Sequence, residues 1–539
     1  MPRPYRSFLV ADKESKTMSD NSKEHYDLIV IGTGAGGGTI IHELASTGKK
    51  ILILERGKFL PREKENWSPK QVYQNQRYYT KEQWCDRNSK VLHPQTCYWV
   101  GGNTKVYGAA LLPMRERDFD EVEHKGGISP AWGLKYRDFA PYYAKAEKLF
   151  DVHGKKGQDP TEPEREEYPH PPVRHEPAMQ SMVDNLKQLG YSPFNLPIGL
   201  KLNEVDKTLS QCIRCDTCDG FPCLVDGKAD AEVNCIIPVR QHENVTLKTG
   251  AKVTKLHTSP SGTEITGVAA EIGHETQVFS ANVVVVACGA INSAALLLRS
   301  ANDSHPNGLA NSSDLVGRNF MKHLSTTIVA LSDRPNDTTY QKTIGINDFY
   351  WGEEGFPYPM GMIQNTGNVK ADMIPPEAPP LLAPFVKFAP EKVLEITASH
   401  ATGWWLQTED LPDPNNRVRW AKDRVCVDYT PNNLEARDRL VDRWTSILKK
   451  MDRTTKHVVP FGIYPRSYIP LSAVGHQCGT CRFGADPTTS VLDLNCRTHD
   501  VDNLYVVDSS FFPSNSGVNP TLTIIANAIR VAEHLKQRL

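Results

Sequence analysis

Residues 26–57 read Y-D-L-I-V-I-G-T-G-A-G-G-G-T-I-I-H-E-L-A-S-T-G-K-K-I-L-I-L-E-R-G. Residues 26–31 form an apolar, β-branched run suited to a strand buried on both faces. Gly32, Gly34 and Gly37 then give G-x-G-x-x-G. A helical pattern follows from about residue 37 to 46, Gly48 ends it, and residues 51–54 make a second strand. This order of strand, glycine turn, helix and strand predicts a dinucleotide cradle. The glycines allow a tight turn and close backbone approach to a pyrophosphate held at the helix N-terminus. Glu55, closing the second strand, stands where a carboxylate accepts hydrogen bonds from an adenosine ribose. NAD and FAD share this fingerprint, and Glu55-Arg56-Gly57 leans towards FAD.

The remainder of the chain is consistent with a multi-domain enzyme. Its 539 residues allow more than one core. Hydrophobic residues make up 39%, charged residues 23%, and the formal net charge is -1, which argues against nucleic acid or an anionic membrane as the main partner. No apolar run is long enough for a membrane span. Residues 1–25 read as a disordered N-terminal extension. Its apolar run, Phe8 to Ala11, is too brief for a secretory signal, so a cytoplasmic location is expected.

Further motifs follow in order. V-G-G-N-T-K-V-Y-G-A-A-L (100–111) is a glycine loop able to pack against a phosphate or a flat ring. N-V-T-L-K-T-G-A-K-V-T-K-L-H (244–257) reads as a strand, and residues 283–300 as a strand turning through Gly289 into a helix. The tail holds H-Q-C-G-T-C-R-F-G (476–484) and D-S-S-F-F-P-S-N-S-G-V-N-P-T-L-T-I-I-A-N-A (508–528).

With G-L-A-N-S-S-D-L-V-G-R-N (308–319) and T-E-D-L-P-D-P-N-N-R-V (408–418), this series resembles the glucose–methanol–choline (GMC) family of FAD-dependent oxidoreductases from residue 26 to the C-terminus. Within the family it looks most similar to the pyranose oxidase and glycoside 3-oxidase side. The resemblance implies an α/β fold: a Rossmann-like FAD-binding domain with a second α+β substrate-binding domain of antiparallel sheet plus helices. The FAD-binding domain would comprise 26–120, 201–320 and 471–539, and the substrate-binding domain 121–200 and 321–470. Tyr107 stands where the family usually has Asn or His, and Phe483 where it usually has Met. Val106 cannot form the histidyl–flavin bond of some relatives, so non-covalent FAD is expected.

Alcohol oxidation needs a base for the hydroxyl proton and a donor for the developing alkoxide. By resemblance His476 is that base and Asn519 its hydrogen-bonding partner. Gly102, Asn103 and Thr104 would lie near the pyrophosphate and flavin, Val253 would hold the adenine through its backbone, and Asp508 and Ser509 would meet the ribityl chain or pyrophosphate. His323, His400 and His499 read as structural or surface groups. Trp404 and Trp405 fit either a sugar-stacking wall or the core of a sheet. The Pro-rich run 373–384 fits either a lid or a surface connection.

The implied reaction is oxidation of a secondary hydroxyl of a sugar or glycoside to a ketone, with electrons passed to oxygen or a quinone or dye acceptor. A non-sugar alcohol is the alternative substrate, and a homo-oligomer is compatible with the sequence. The run C-I-R-C-D-T-C-D-G-F-P-C leaves Cys212, Cys215, Cys218 and Cys223 as metal candidates. Its spacing lies one residue from a ferredoxin run, so an iron–sulfur cluster in an electron-transfer complex stays open. Zinc fits less well, and a structural loop with free or paired thiols is the main expectation.

Overall fold

The computed structural model describes residues 24–332, 334–378, 383–452 and 464–539. The expected N-terminal extension lies outside them, except that Glu24 is described and His25 already opens the first strand.

A seven-stranded sheet carries the half that contains the glycine turn. Strands Val245–Thr249, Ile51–Glu55, His25–Ile31, Glu275–Val286 and Leu504–Val506 run parallel in that order. Their near-continuous Val, Ile and Leu content suits burial on both faces. The helix Ala35–Ala45 follows the first strand and packs on Thr521–Arg538, which also contacts Tyr136–Leu149. The sequence reads 244–257 as one strand, but the structure breaks it. Gly250, at φ +66°, turns the chain, so Val245–Thr249 joins the parallel sheet while Ala251–Thr258 starts an antiparallel meander with Ile265–Ile272 and Glu275–Val286. Only glycine adopts that φ without strain.

A six-stranded antiparallel sheet forms the other half, ordered Arg466–Tyr468, Leu324–Leu331, Ala401–Thr408, Met362–Asn365, Ile344–Ile346 and Phe194–Asn195. Side chains alternate across such a sheet. On one face Ile328, Ile363, Trp404 and Leu406 pack into a core with Leu440, Trp444 and Leu448 of helix Leu434–Asp452. Trp404 is fully buried, its ring 4.5 Å from that of Trp444 in an edge-on contact. Trp405 belongs to the opposite face, with Thr327 and Gln364 beside it in register.

Two loops follow the expectations differently. The Pro-rich run forms short helices, Ile374–Glu377 and Ala383–Val386, with Met373, Ile374 and Ala378 lining a large cavity; residues 379–382 lie outside the described residues. Cys212, Cys215, Cys218 and Cys223 line a small separate void and are not in disulfides. Among the described residues, no three of His, Cys, Asp or Glu are arranged to hold a metal ion. The one bonded pair among the described cysteines is Cys85–Cys426, which joins two strands paired in parallel.

Candidate active site

One cavity of about 840 Å³ runs from the glycine turn to the free face of the second sheet. At its nucleotide end the backbone builds the wall. Gly32 has φ +98°, and a methyl group there would lie 2.4 Å from the Ala287 carbonyl oxygen. A methyl at Gly34 would meet no atom within 4 Å and would project into the cavity that Gly34 lines. Gly37 packs on the Gly32 carbonyl, where a methyl would approach to 2.1 Å. Gly34 caps the following helix without a side-chain bond, and the first turn carries no acid. Its free N–H groups and positive dipole end therefore suit a pyrophosphate. Glu55 is buried; its carboxylate accepts from the Thr33 N–H (3.0 Å), the Thr33 hydroxyl (2.6 Å) and the Gly57 N–H (2.7 Å). Burial pushes its pKa up and these donors oppose that. Gly34 leaves room for a phosphate, and Glu55 keeps acceptor lone pairs beyond its three donors, so the residues present fit a dinucleotide such as FAD.

The other expected contacts also line this cavity. Asn103 accepts from the Thr96 hydroxyl (3.1 Å) and the Cys97 N–H (2.9 Å). Gly102 packs against Gly34, with 3.1 Å between a methyl there and the Gly34 Cα. Thr104 donates to the Gly101 carbonyl (2.6 Å) and accepts from the Ala231 N–H (3.0 Å), locking the loop in place. The Val253 carbonyl accepts from the Arg299 guanidinium. Asp508 accepts from the Gly289 N–H (2.9 Å), the Ser293 hydroxyl and the Ser510 N–H (2.8 Å). Tyr107 donates to the Ala229 carbonyl, so this departure from the family pattern packs as an anchor.

At the other end the two tail motifs meet. The N–H groups of Gly479, Cys481 and Phe483 donate to the carbonyls of Ser509, Ser510 and Phe511. This ladder holds His476 and Asn519 on the same cavity. His476 Nδ1 lies 2.8 Å from His323 Nδ1, with the two rings edge to face. Sequence reasoning set His323 aside; the structure buries it against His476 on the same cavity. The cause is register. Met321 pairs with Cys478 and Lys322 with Gln477, so the next position brings His323 opposite His476. His400 instead bonds the Ser332 carbonyl and His499 the Ser490 hydroxyl, both away from this site. Burial pushes His476 well below its ordinary 6.5, and His323 and the Lys342 ammonium add to that. Burial pushes His323 down to about 4.

Asn519 immediately precedes Pro520 and the helix Thr521–Arg538. Its Oδ1 accepts from Gln364 Nε2 (3.2 Å) and Gln407 Nε2 (3.3 Å). Gln364 and Gln407 escaped sequence reasoning because neither belongs to a motif. Lys342 and Asp219 pair at 2.9 Å in the wall, and the Gly367 N–H also donates to Asp219. Asp219 lies within the cysteine-rich run, whose sequence gave no sign that it reached the cavity. Trp405 lines the cavity as well. The arrangement offers a neutral base and an amide beside a wall that mixes one aromatic face with hydrogen-bonding groups.

Residues 26–325 match the N-terminal part and residues 412–528 the C-terminal part of the GMC oxidoreductase family. The chain is 30% identical to paromamine 6'-oxidase of Streptomyces fradiae, over 94% of this chain and 91% of that protein. It is 25% identical to the fructose dehydrogenase large subunit of Gluconobacter japonicus, over 94% and 97% respectively. The fold resembles the crystal structure of pyridoxine 4-oxidase from Mesorbium loti, with a TM-score of 0.63 at 17% identity, covering 94% of this chain and 99% of that one. The chain belongs to the GMC oxidoreductase family of FAD-binding enzymes that oxidise CH–OH groups.

Proposed function

We propose that this enzyme oxidises a secondary hydroxyl of a sugar or glycoside to a ketone, with His476 as base and Asn519 as hydrogen-bond donor. The observation that carries the reading is the placement of both side chains on the cavity that begins at the glycine cradle. Bound FAD supplies a two-electron acceptor for the hydride leaving the carbon. His476 takes the hydroxyl proton, for which a neutral imidazole is required, and its depressed pKa keeps it neutral at pH 7. Asn519 steadies the oxygen as negative charge develops. Gly32, Gly34 and the helix N-terminus would hold the pyrophosphate, Glu55 the ribose and Val253 the adenine. Gly102, Asn103, Thr104, Asp508 and Ser509 would line the flavin end.

Trp405 and the Asp219–Lys342 pair favour a polyhydroxylated substrate, since one presents a flat apolar face and the other charged hydrogen-bonding groups. The names of relatives, among them paromamine 6'-oxidase and fructose dehydrogenase, support the sugar class. A non-sugar alcohol is the second reading, favoured by 26% identity to 2-methyl-1,2-propanediol dehydrogenase. The test is anaerobic reduction of the flavin, followed by its absorbance, with a panel of D-glucose, methyl glucosides, 6-deoxyglucose, paromamine and 1,2-propanediol. Reduction by a sugar or glycoside, with activity retained on 6-deoxyglucose, supports the proposal. Reduction by the diol alone, or by nothing in the panel, defeats it. Flavin released into the supernatant on acid precipitation is the expected sign of non-covalent binding. Repeating turnover with oxygen and with a quinone identifies the acceptor.

A further inference from the structure

The hydrogens of the reactive pair are set by one turn of backbone, Asn515–Ser516–Gly517. His323 Nε2 faces the carbonyl oxygens of Asn515 (3.2 Å) and Ser516 (3.0 Å). Carbonyls only accept, so this nitrogen carries the hydrogen. A neutral imidazole has a single N–H, so His323 Nδ1 presents a lone pair. His476 Nδ1 lies 2.8 Å from that nitrogen and must donate to its lone pair. Its own hydrogen is thereby placed on Nδ1, and Nε2 is left as an acceptor.

A parallel chain runs to Asn519. Gln407 Nε2 donates to the Gly517 carbonyl at 3.0 Å, which fixes the orientation of that amide. The same NH2 group donates to Asn519 Oδ1, and Gln364 Nε2 does so too. The Asn519 oxygen is engaged, so its NH2 is the group left for a ligand. Both chains pass through buried side chains: His323 is 2% exposed and Gln407 0%. Ser516 holds φ +52°, a conformation rare for residues other than glycine, and across this turn the Asn515 and Ser516 carbonyls meet His323 while the Gly517 carbonyl meets Gln407.

We propose that the 515–517 turn, acting through His323 and Gln407, fixes the hydrogen polarity of the site so that His476 Nε2 accepts and Asn519 Nδ2 donates. His323 and Gln407 are positioning residues; neither needs to touch substrate. A free imidazole populates both tautomers, so without His323 part of the His476 population would carry its hydrogen on Nε2 and be unable to take the hydroxyl proton. When His476 does take it, the Nδ1–H to His323 contact becomes a charge-assisted bond, which strengthens as the reaction proceeds. The inference rests on the reading of His476 as the base.

Nitrogen-15 spectra of the histidine-labelled holoenzyme test it directly, with the His476 signals assigned by their loss in His476→Asn. A protonated Nδ1 and an unprotonated Nε2 are expected at pH 7.5, and the opposite tautomer in the native enzyme overturns the proposal. Kinetically, His323→Phe should slow flavin reduction by whichever panel member is active by about 100-fold, with KM changed less than about threefold. His323→Asn offers an acceptor to His476 Nδ1 and should recover at least about tenfold of that loss. Gln407→Leu should cost about tenfold. A His323→Phe enzyme as fast as wild type, or a His323→Asn enzyme as slow as His323→Phe, overturns the polarity assignment. In that case slow reduction by His476→Ala leaves the proposed function standing. Fast reduction by His476→Ala removes the base, and both readings fall together.

Discussion

The two ends of the cavity are built from different materials. At the nucleotide end backbone forms part of the wall, with the five consecutive residues 32–36 all on the cavity and Gly37 packed behind them on the Gly32 carbonyl. At the reactive end side chains from five distant segments meet: His323, Gln364, Gln407, His476 and Asn519. A wall of backbone is specified by where side chains are missing, which a short stretch of sequence displays. A constellation of side chains depends on strand register and on which carbonyl faces which ring, and neither has a local signature.

Substitutions separate the two ends, and the largest effect belongs to the first. Gly34→Val adds bulk where a methyl meets nothing, so folding should survive while FAD retention is lost, read as flavin absorbance in the purified protein. Gly36→Val sharpens the contrast. A methyl there would lie 1.8 Å from the Val507 carbonyl oxygen, so this variant should lose the fold along with the flavin, read as soluble yield and circular dichroism. Equal folding of both variants would show that the cradle is more plastic than its packing implies.

At the reactive end, His476→Ala should keep FAD and slow flavin reduction by about two to four orders of magnitude. A variant that loses the flavin would tie the two ends together and remove the contrast. The pH profile provides a finer measure. Because His476 is held well below 6.5, its neutral form persists as pH falls, and the acidic limb of flavin reduction should lie below pH 6.5. An acidic limb above 6.5 would contradict that environment. His323 links the same chemistry to stability. Its pKa is near 6.5 unfolded and about 4 folded, so its contribution is complete above pH 6.5 and lost as pH falls towards 4. The window is worth at most about 3 kcal/mol. Thermal melts of wild type and His323→Asn should therefore converge as pH drops from 6.5 to 4. The smallest change expected in catalysis comes from Cys85→Ser. It should lower stability by about 2–4 kcal/mol and leave the rate of flavin reduction near wild type.

Legibility in the sequence followed the same division. The first strand, glycine turn, helix and second strand stand within a residue or two of where the apolar pattern placed them, because local period and glycine spacing dictate them. Gly36 went unremarked, since its partner Val507 lies at the far end of the chain and no spacing rule reaches that far. The break at Gly250 was hidden inside a run that alternates well enough to pass for one strand. At the reactive end the motifs supplied His476 and Asn519 through resemblance. His323 stayed hidden because an isolated histidine between two short strands carries no signal until the strands are paired. Trp404 and Trp405 show how far alternation goes. It guarantees that neighbours face opposite ways, and only the packing of Trp444 shows which one is inside.

The two-residue ladder between Met321–Lys322 and Gln477–Cys478 has a consequence for how this protein can diverge. Substitution on either strand is felt through packing, since Met321, Lys322 and Cys478 are buried, but it leaves the backbone pairing and its register in place. An insertion or deletion of one residue between 321 and 324 is another matter, because it would turn the His323 side chain to the opposite face and leave His476 without its neighbour. Length, more than composition, is what descent must preserve at this point in the chain.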